Sequence, residues 1–413
     1  MLDFKPPRDN PFFIWLIKTL LPAVMKFQMK NARLEVVGDG LARFAQLKGK
    51  RTVICPNHPC SDDPQTMFAF SKQARENFNF LAAREVFDWD HGLRGWAFQM
   101  MGCYSVVRGA VDRESFKTTR RLIVEGRKKL VIFPEGEISR QNDTLMPLES
   151  GVAQMTFWAL DELQKKEVSE PVYILPVVIK YTYGGDIRQA LCRSLTLLED
   201  KLDVASGRED SLYERLRKIA EKILSAIERE YSHKPPADTS FNDRIVSLRA
   251  AILKKVSTYL EVELPDGGSQ LDWIRVLRNA MDDFIYSEET SMSAYEKRIH
   301  EEKAGEIKAF YHDLDRVVNF IAIYDGYLRD RLTQERFADV LDRLEREVFG
   351  EPEPKGARVI LLDVGRPINL LDYYPAYKSN KKTAILKVNE ELSQQMATML
   401  EALDVKRPAV FVE

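Results

Sequence analysis

Hydrophobic and polar residues alternate along this chain in two rhythms. Between about residues 30 and 190, short apolar runs are separated by turn residues. Arg33-Leu34-Glu35-Val36-Val37-Gly38 alternates and runs into Gly38-Asp39-Gly40, which predicts a strand and its turn. Thr52-Val53-Ile54-Cys55 predicts a buried strand ended by Pro56. Phe78 to Ala83, Cys103 to Val107 and Leu130 to Phe133 follow as further strands. Val172 to Tyr181 is almost continuously apolar but carries Pro176, which implies an edge, a bulge or a break in pairing. Helical patterns lie between these runs: one beginning near Met67, one over about Asp112 to Arg127 with Gly126 near its end, and one over Val152 to Leu163 opened by Gly151. The expectation for this part is an α/β sheet with flanking helices.

After about residue 195 the rhythm becomes helical. Ser211-Leu212-Tyr213-Glu214 is a capping box, and Leu212, Leu216, Ile219, Ile223 and Ile227 recur at helical spacing. Lys234-Pro235-Pro236-Ala237-Asp238 reads as a linker, and helices are expected at about 241–260, 270–286, 291–324 and 331–348. His300 and His312 fall on charged helical stretches and read as solvated. Strand character returns at Arg358 to Gly365 and Arg366 to Leu370, with a last helix from Asn389 to Leu403. At the other end, Phe12 to Phe27 is bulky and apolar but interrupted by Lys18, Pro22 and Lys26. Such a stretch suits an amphipathic helix at a membrane interface, with lysines reaching toward headgroups, or a helix covering the core. The chain divides into an N-terminal interfacial helix (1–30), an α/β domain (31–195), a helical block inserted or appended (196–354), and a returning strand and helix (355–413).

The chemistry gathers in Cys55-Pro56-Asn57-His58-Pro59-Cys60-Ser61-Asp62-Asp63-Pro64, just after a predicted strand, where open α/β sheets place their sites. His58 and Asp63 are five residues apart, a spacing that does not align them on a continuous helix. They meet only if the chain turns sharply between them, and Pro59 and Pro64 suit such a turn. A carboxylate against an imidazole fixes its tautomer and stabilises the cation formed when it takes a proton. The same residues also read as a loop histidine beside helix-capping aspartates.

The stretch resembles the H-x4-D motif of the glycerolipid acyltransferase superfamily, to which bacterial lysophosphatidic acid acyltransferases belong. Three further blocks stand in that family's order: Gly102-Cys103-Tyr104-Ser105-Val106-Val107-Arg108, Phe133-Pro134-Glu135-Gly136, and Ile174-Leu175-Pro176-Val177-Val178. The resemblance covers about residues 30–190, with a weaker echo near the C-terminus. It implies that His58 and Asp63 are catalytic, that Arg108 holds the acceptor's phosphate, and that the Phe133-Pro134-Glu135-Gly136 turn helps bind a glycerol phosphate acceptor. It also implies that the Pro176 strand lines the acyl side of the cleft. Many members continue the glycine with Thr-Arg-Ser. This chain has Glu137-Ile138-Ser139, with Arg140 two places later as the candidate replacement. The partners implied are an acyl thioester donor on coenzyme A or acyl carrier protein, a lysolipid acceptor such as lysophosphatidic acid, and the membrane surface. No cofactor or metal is implied.

Composition narrows the alternatives. The 413 residues carry a formal net charge of -2, so no bulk basic field for nucleic acid exists. The four cysteines (Cys55, Cys60, Cys103, Cys192) form no C-x-x-C pair and suit a reduced compartment, the cytoplasmic side of the membrane. Cys60 is a rival nucleophile beside His58, and no second histidine or carboxylate cluster completes a metal set. No apolar run reaches 18 residues, so peripheral or monotopic attachment is expected rather than a span. The rival function is a non-catalytic, membrane-associated lipid-binding or scaffold protein on the same fold.

Overall fold

The computed structural model describes residues 3–29, 32–107, 112–207, 209–285, 293–321, 325–406 and 410–412. Among them, eight strands form one sheet: β1 (Arg33–Val36), β2 (Arg51–Pro56), β3 (Phe78–Ala83), β4 (Cys103–Val106), β5 (Lys129–Val131), β6 (Val172–Tyr183), β7 (Arg358–Val364) and β8 (Ile368–Asn369). Their order is β1-β7-β6-β2-β5-β3-β4, with β8 also paired to β6. All pairs are parallel except those of β6 with β7 and β8. The fold is mixed α/β with a mostly parallel sheet, as the alternation of strands and helices predicts.

The sheet is covered on both faces, which is why its strands read as continuous apolar runs. Val53 and Cys55 of β2 face one core with helices Gly151–Lys165 and Lys381–Lys406. Ile54, between them, faces the other core with Phe44, Met67 and Phe70, on helices Gly40–Ala45 and Asp63–Gln73. A third core lies in helices between Arg188 and Phe349, with Leu216, Ile219, Ile252, Leu277, Leu314 and Leu341 inside it. The capping box at Ser211 and Glu214 starts one of these helices, Leu212–Glu230.

Although β7 follows the helical block, it lies between β1 and β6, with Val36 opposite Leu362 and Val177 opposite Val364. Pro176 produces a bulge at this seam. Val177 pairs with Val364, but three residues earlier Ile174 pairs with Ile368, so β7 and β8 together carry one extra residue. The Pro176 carbonyl accepts from Gly365 N–H at 2.8 Å. Because one residue's N–H and C=O point to the same strand edge, the missing N–H of Pro176 faces this bulge.

Two expectations need correction. His300 is buried rather than solvated: it stacks on Phe284 at 4.7 Å and its Nε2 lies 2.9 Å from the Phe284 carbonyl. The charged pattern of its helix concealed the one face that packs on helix Gln270–Ile285. Lys18 does not reach outward from the N-terminal helix Pro11–Ala23. It donates to the Glu76 carbonyl at 2.7 Å and to Asn77 at 2.8 Å. The turn at Gly38-Asp39-Gly40 also opens a short helix, Gly40–Ala45, that the turn residues alone do not signal.

Candidate active site

Pro56 ends β2, and the chain turns through Asn57–Asp62 before helix Asp63–Gln73 begins. Pro64 stands at the first turn of that helix, where a missing N–H costs nothing. Asn57 fastens the turn to β6: its amide donates to the Ile179 carbonyl at 3.0 Å and accepts from Ile179 N–H at 2.6 Å. The sharp turn brings His58 Nδ1 within 2.7 Å of Asp63 Oδ2. Asp63 is fully buried. Its Oδ2 also accepts from Cys60 N–H at 2.8 Å, and its Oδ1 from the Tyr181 hydroxyl at 2.8 Å. Burial pushes the Asp63 carboxyl above its ordinary range, and the His58 hydrogen bond leads the groups that oppose this shift.

The third sequence block closes over this pair. Phe133 stacks on the His58 ring at 4.2 Å between centroids. Glu135 is completely buried and spends both oxygens on main-chain donors: Oε1 on His58 N–H at 2.7 Å and Oε2 on Met146 N–H at 3.0 Å. Burial raises its carboxyl to about 7. Pro134 is buried too, and its carbonyl accepts from Glu149 N–H at 2.7 Å. Gly136 has φ +72, and a Cβ there would lie 3.2 Å from Arg275 Nη2, so glycine meets both demands. Ser139 N–H donates to the His58 carbonyl at 2.9 Å. Arg140 has φ +54, and its Nη1 is buried with no hydrogen-bond partner among the described residues. Burial holds its guanidinium below the usual value, and Arg346 adds to this. Pro176 pairs with Cys55 beside the turn.

Arg108 lies outside the described residues. The other sequence-predicted site residues gather around the β2 turn, with His58, Asp63, Phe133 and Glu135 in one network. Sequence reasoning missed three that belong with them. Tyr181 completes the Asp63 shell. Arg358, at the start of β7, pairs with Asp62, donates to Cys60 Sγ at 3.6 Å and lies 5.0 Å over the Tyr181 ring. Arg343 holds the 139–140 segment from the helical block. No local motif marks any of these residues, although a tyrosine closing the Pro176 strand was one usable signal.

Cys60 is a poor nucleophile in this setting. Burial pushes its thiol up to about 11, and the neighbouring Asp62 and Asp63 carboxylates add to the effect. It is therefore protonated at neutral pH, and the thiolate is the reactive form. Among the described residues, no group of three or more His, Cys, Asp or Glu could hold a metal ion.

Residues 33–180 match the family model described as Acyltransferase. The chain carries an acyltransferase domain. The match runs from the first residue of β1 into β6 and contains the His58 turn, Glu135 and Pro176. No curated protein matches the chain. The acyltransferase domain thus holds the buried carboxylate–imidazole pair, and β7 and the helical block supply Arg358 and Arg343 from outside the matched segment.

Proposed function

We propose that this acyltransferase moves a fatty acyl group from a thioester, on coenzyme A or acyl carrier protein, to a lipid hydroxyl, with lysophosphatidic acid as acceptor. The observation that carries the reading is the 2.7 Å contact between His58 Nδ1 and buried Asp63. With Nδ1–H directed at Asp63, Nε2 is free to take the proton of the acceptor hydroxyl. The hydroxyl oxygen bonds to the thioester carbon, the tetrahedral intermediate collapses, and the C–S bond breaks. The imidazolium returns its proton to the leaving thiolate, so His58 ends as it began. Asp63 stabilises the cation in between, and Tyr181 and the Cys60 amide hold Asp63.

Arg108 and Arg140 are the proposed phosphate holders. A guanidinium fork matches phosphate oxygens in bidentate geometry. For Arg140 the support is its buried Nη1, without a hydrogen-bond partner among the described residues, in the same loop that carries Glu135. The Phe133-Pro134-Glu135-Gly136 turn would then act from beneath, setting the position of His58 as much as touching the acceptor.

Contact with the membrane surface is part of the same proposal. Phe12 and Trp15 are 68% and 60% exposed and lie 5.8 Å apart, ring to ring. Phe13 packs edge-on against Trp96, which brings the exposed Trp89, Leu93 and Trp96 segment beside the N-terminal helix. Such bulky side chains bury readily at an acyl–headgroup boundary. Among the described residues no helix is long and apolar enough to cross a membrane, so the proposal is attachment at one face, the cytoplasmic one. The deciding assay is thiol release from acyl-coenzyme A and acyl carrier protein, with and without a panel of lysolipids. Release that no lysolipid stimulates and that survives His58→Ala would overturn the reading.

A further inference from the structure

The loop between β5 and helix Gly151–Lys165 runs through the candidate site without regular secondary structure. What holds it comes mainly from the helical block. Glu137 pairs with Arg278 at 2.7 Å, Asp143 with Arg336 at 2.7 Å, and Asn142 N–H donates to Asp339 at 3.1 Å. At the point nearest His58 the holder is Arg343, on helix Gln334–Phe349. Its guanidinium donates to the carbonyls of Ser139 at 2.9 Å and Arg140 at 2.6 Å, and to Asn319 at 3.3 Å. These acceptors are main-chain oxygens, and Arg343 is only 3% exposed.

A buried charge is expensive unless hydrogen bonds of good geometry offset its lost hydration, and three main-chain oxygens do so for Arg343. Burial pulls the Arg343 guanidinium down to about 10, still charged near neutral pH, with the Asp339 carboxylate opposing that shift. One terminal nitrogen, Nη2, donates to the two successive carbonyls while Nη1 donates to Asn319, so the rigid planar guanidinium ties the loop to a fixed point in the helical block. The Ser139 carbonyl and the Ser139 N–H belong to adjacent peptide units joined at one Cα, so holding the first restrains the second, whose N–H donates to the carbonyl of His58 at 2.9 Å. The chain of contacts is therefore short: Arg343 guanidinium, the main chain on either side of the Ser139 Cα, His58 main chain. On the opposite edge of the same turn, Arg358 pairs with Asp62. Arg358 thus meets the β2 turn directly, whereas Arg343 reaches it only through Ser139.

We propose that Arg343 is a positioning residue for His58, acting through Ser139, so that the helical block is a working part of the acyl-transfer site. The inference rests on His58 being the base. It goes beyond that reading by assigning the site a determinant more than 200 residues away in the chain.

The experiment compares Arg343→Met, Arg343→Lys and Arg316→Met in the full chain. Arg316 is the control, another buried arginine of the helical block, which pairs with Glu230 and Glu347 rather than with the loop. Two readouts are taken: amide hydrogen exchange over Ser139, and kcat and KM for both substrates. Arg343→Met is expected to lose protection at Ser139 and to lower kcat about 10- to 100-fold, the scale of misplacing a reacting group by about an ångström. Both KM values should change much less. Arg343→Lys, which keeps the charge and so the better chance of folding, should fall between wild type and Arg343→Met in both readouts. Arg316→Met should lower the melting temperature while leaving Ser139 protection and kcat in place. Unchanged Ser139 exchange in both Arg343 variants overturns the proposal. So does a kcat loss no greater than in Arg316→Met, or lost protection with normal kcat. If the unsubstituted protein releases no thiol from any donor, the acyl-transfer reading falls, and the exchange measurement alone decides whether Arg343 holds the turn.

Discussion

The main-chain N–H of His58 donates to Glu135 Oε1 at 2.7 Å. This bond joins the histidine turn to the Phe133-Pro134-Glu135-Gly136 turn, and it is made by the backbone, so any residue but proline at position 58 would keep it. Glu135 therefore fixes where the histidine turn sits, whereas Asp63 fixes how its ring points. The two carboxylates control position and orientation separately.

The first prediction follows from this division. Glu135→Gln retains one carbonyl oxygen but presents an NH2 to the other main-chain donor, either His58 or Met146. Leaving a buried donor unsatisfied costs about 1–3 kcal/mol. Lower stability and lower kcat are expected together, measured by thermal melts and thiol release. The pH dependence carries a definite sign. Burial raises the folded Glu135 carboxyl from 4.5 to about 7, so between these values the folded state holds a proton that the unfolded chain has lost. Stability from this group is present below about pH 4.5 and declines as pH rises through about 7. Glu135→Gln should lack that decline, and an identical slope in wild type and variant would count against it.

Catalysis supplies the second. His58→Ala should reduce transfer by about 10²–10⁴-fold, the usual worth of a positioned acid–base group, with little change in melting. Asp63→Asn should be severe yet leave a trace, since orientation is damaged while the ring remains. Tyr181→Phe deletes one hydrogen bond to Asp63, worth about 1.5–3 kcal/mol at most, so its loss should be the smallest of the three. Normal turnover in the His58 variant would defeat the mechanism.

Membrane contact gives the third. Phe12 and Trp15 are largely exposed, so replacing both with Glu should leave the fold intact and act on liposome binding alone. Burying such side chains is worth about 1.5–3 kcal/mol each. The doubly substituted protein is expected in the supernatant after sedimentation with liposomes. Undiminished co-sedimentation would make the N-terminal helix a structural cover only.

Legibility from sequence followed locality. The β2 strand, the turn after it and the His58–Asp63 encounter were readable because the apolar run, the prolines and both side chains lie within a dozen residues. Helix Phe241–Leu260 coincides with the expected 241–260, since its apolar spacing is uninterrupted. Tyr181, Arg343 and Arg358 escaped because their partners lie 118, 204 and 296 residues away, and a lone arginine or tyrosine carries no sign of what it will face. Glu135 stood out as a candidate site residue through resemblance. Its main-chain partners did not, because every residue carries the same N–H. The bulge at Pro176 was foreseeable in kind, as proline cannot complete a ladder, but its partner strand arrives only after the helical block.

The fourth prediction concerns the acceptor, where Glu137-Ile138-Ser139 departs from the resembled pattern. If the acceptor carries a phosphate, Arg108→Ala should weaken its apparent affinity, because a hydrogen bond to a charged group contributes roughly 1.5–3 kcal/mol. That corresponds to about 10- to 100-fold, at about 1.4 kcal/mol per decade. Arg108→Lys should restore only part, since a point charge cannot reproduce the fork. Arg140→Ala is the sharper test. Its buried Nη1 has no protein partner among the described residues, so a phosphate oxygen is the kind of group that would satisfy it. A rise in acceptor KM with the donor KM unchanged would make Arg140 the replacement for the family's arginine. If neither substitution moves the acceptor KM, a phosphate near the reacting hydroxyl is excluded, and a neutral alcohol or another lysolipid becomes the acceptor to assay.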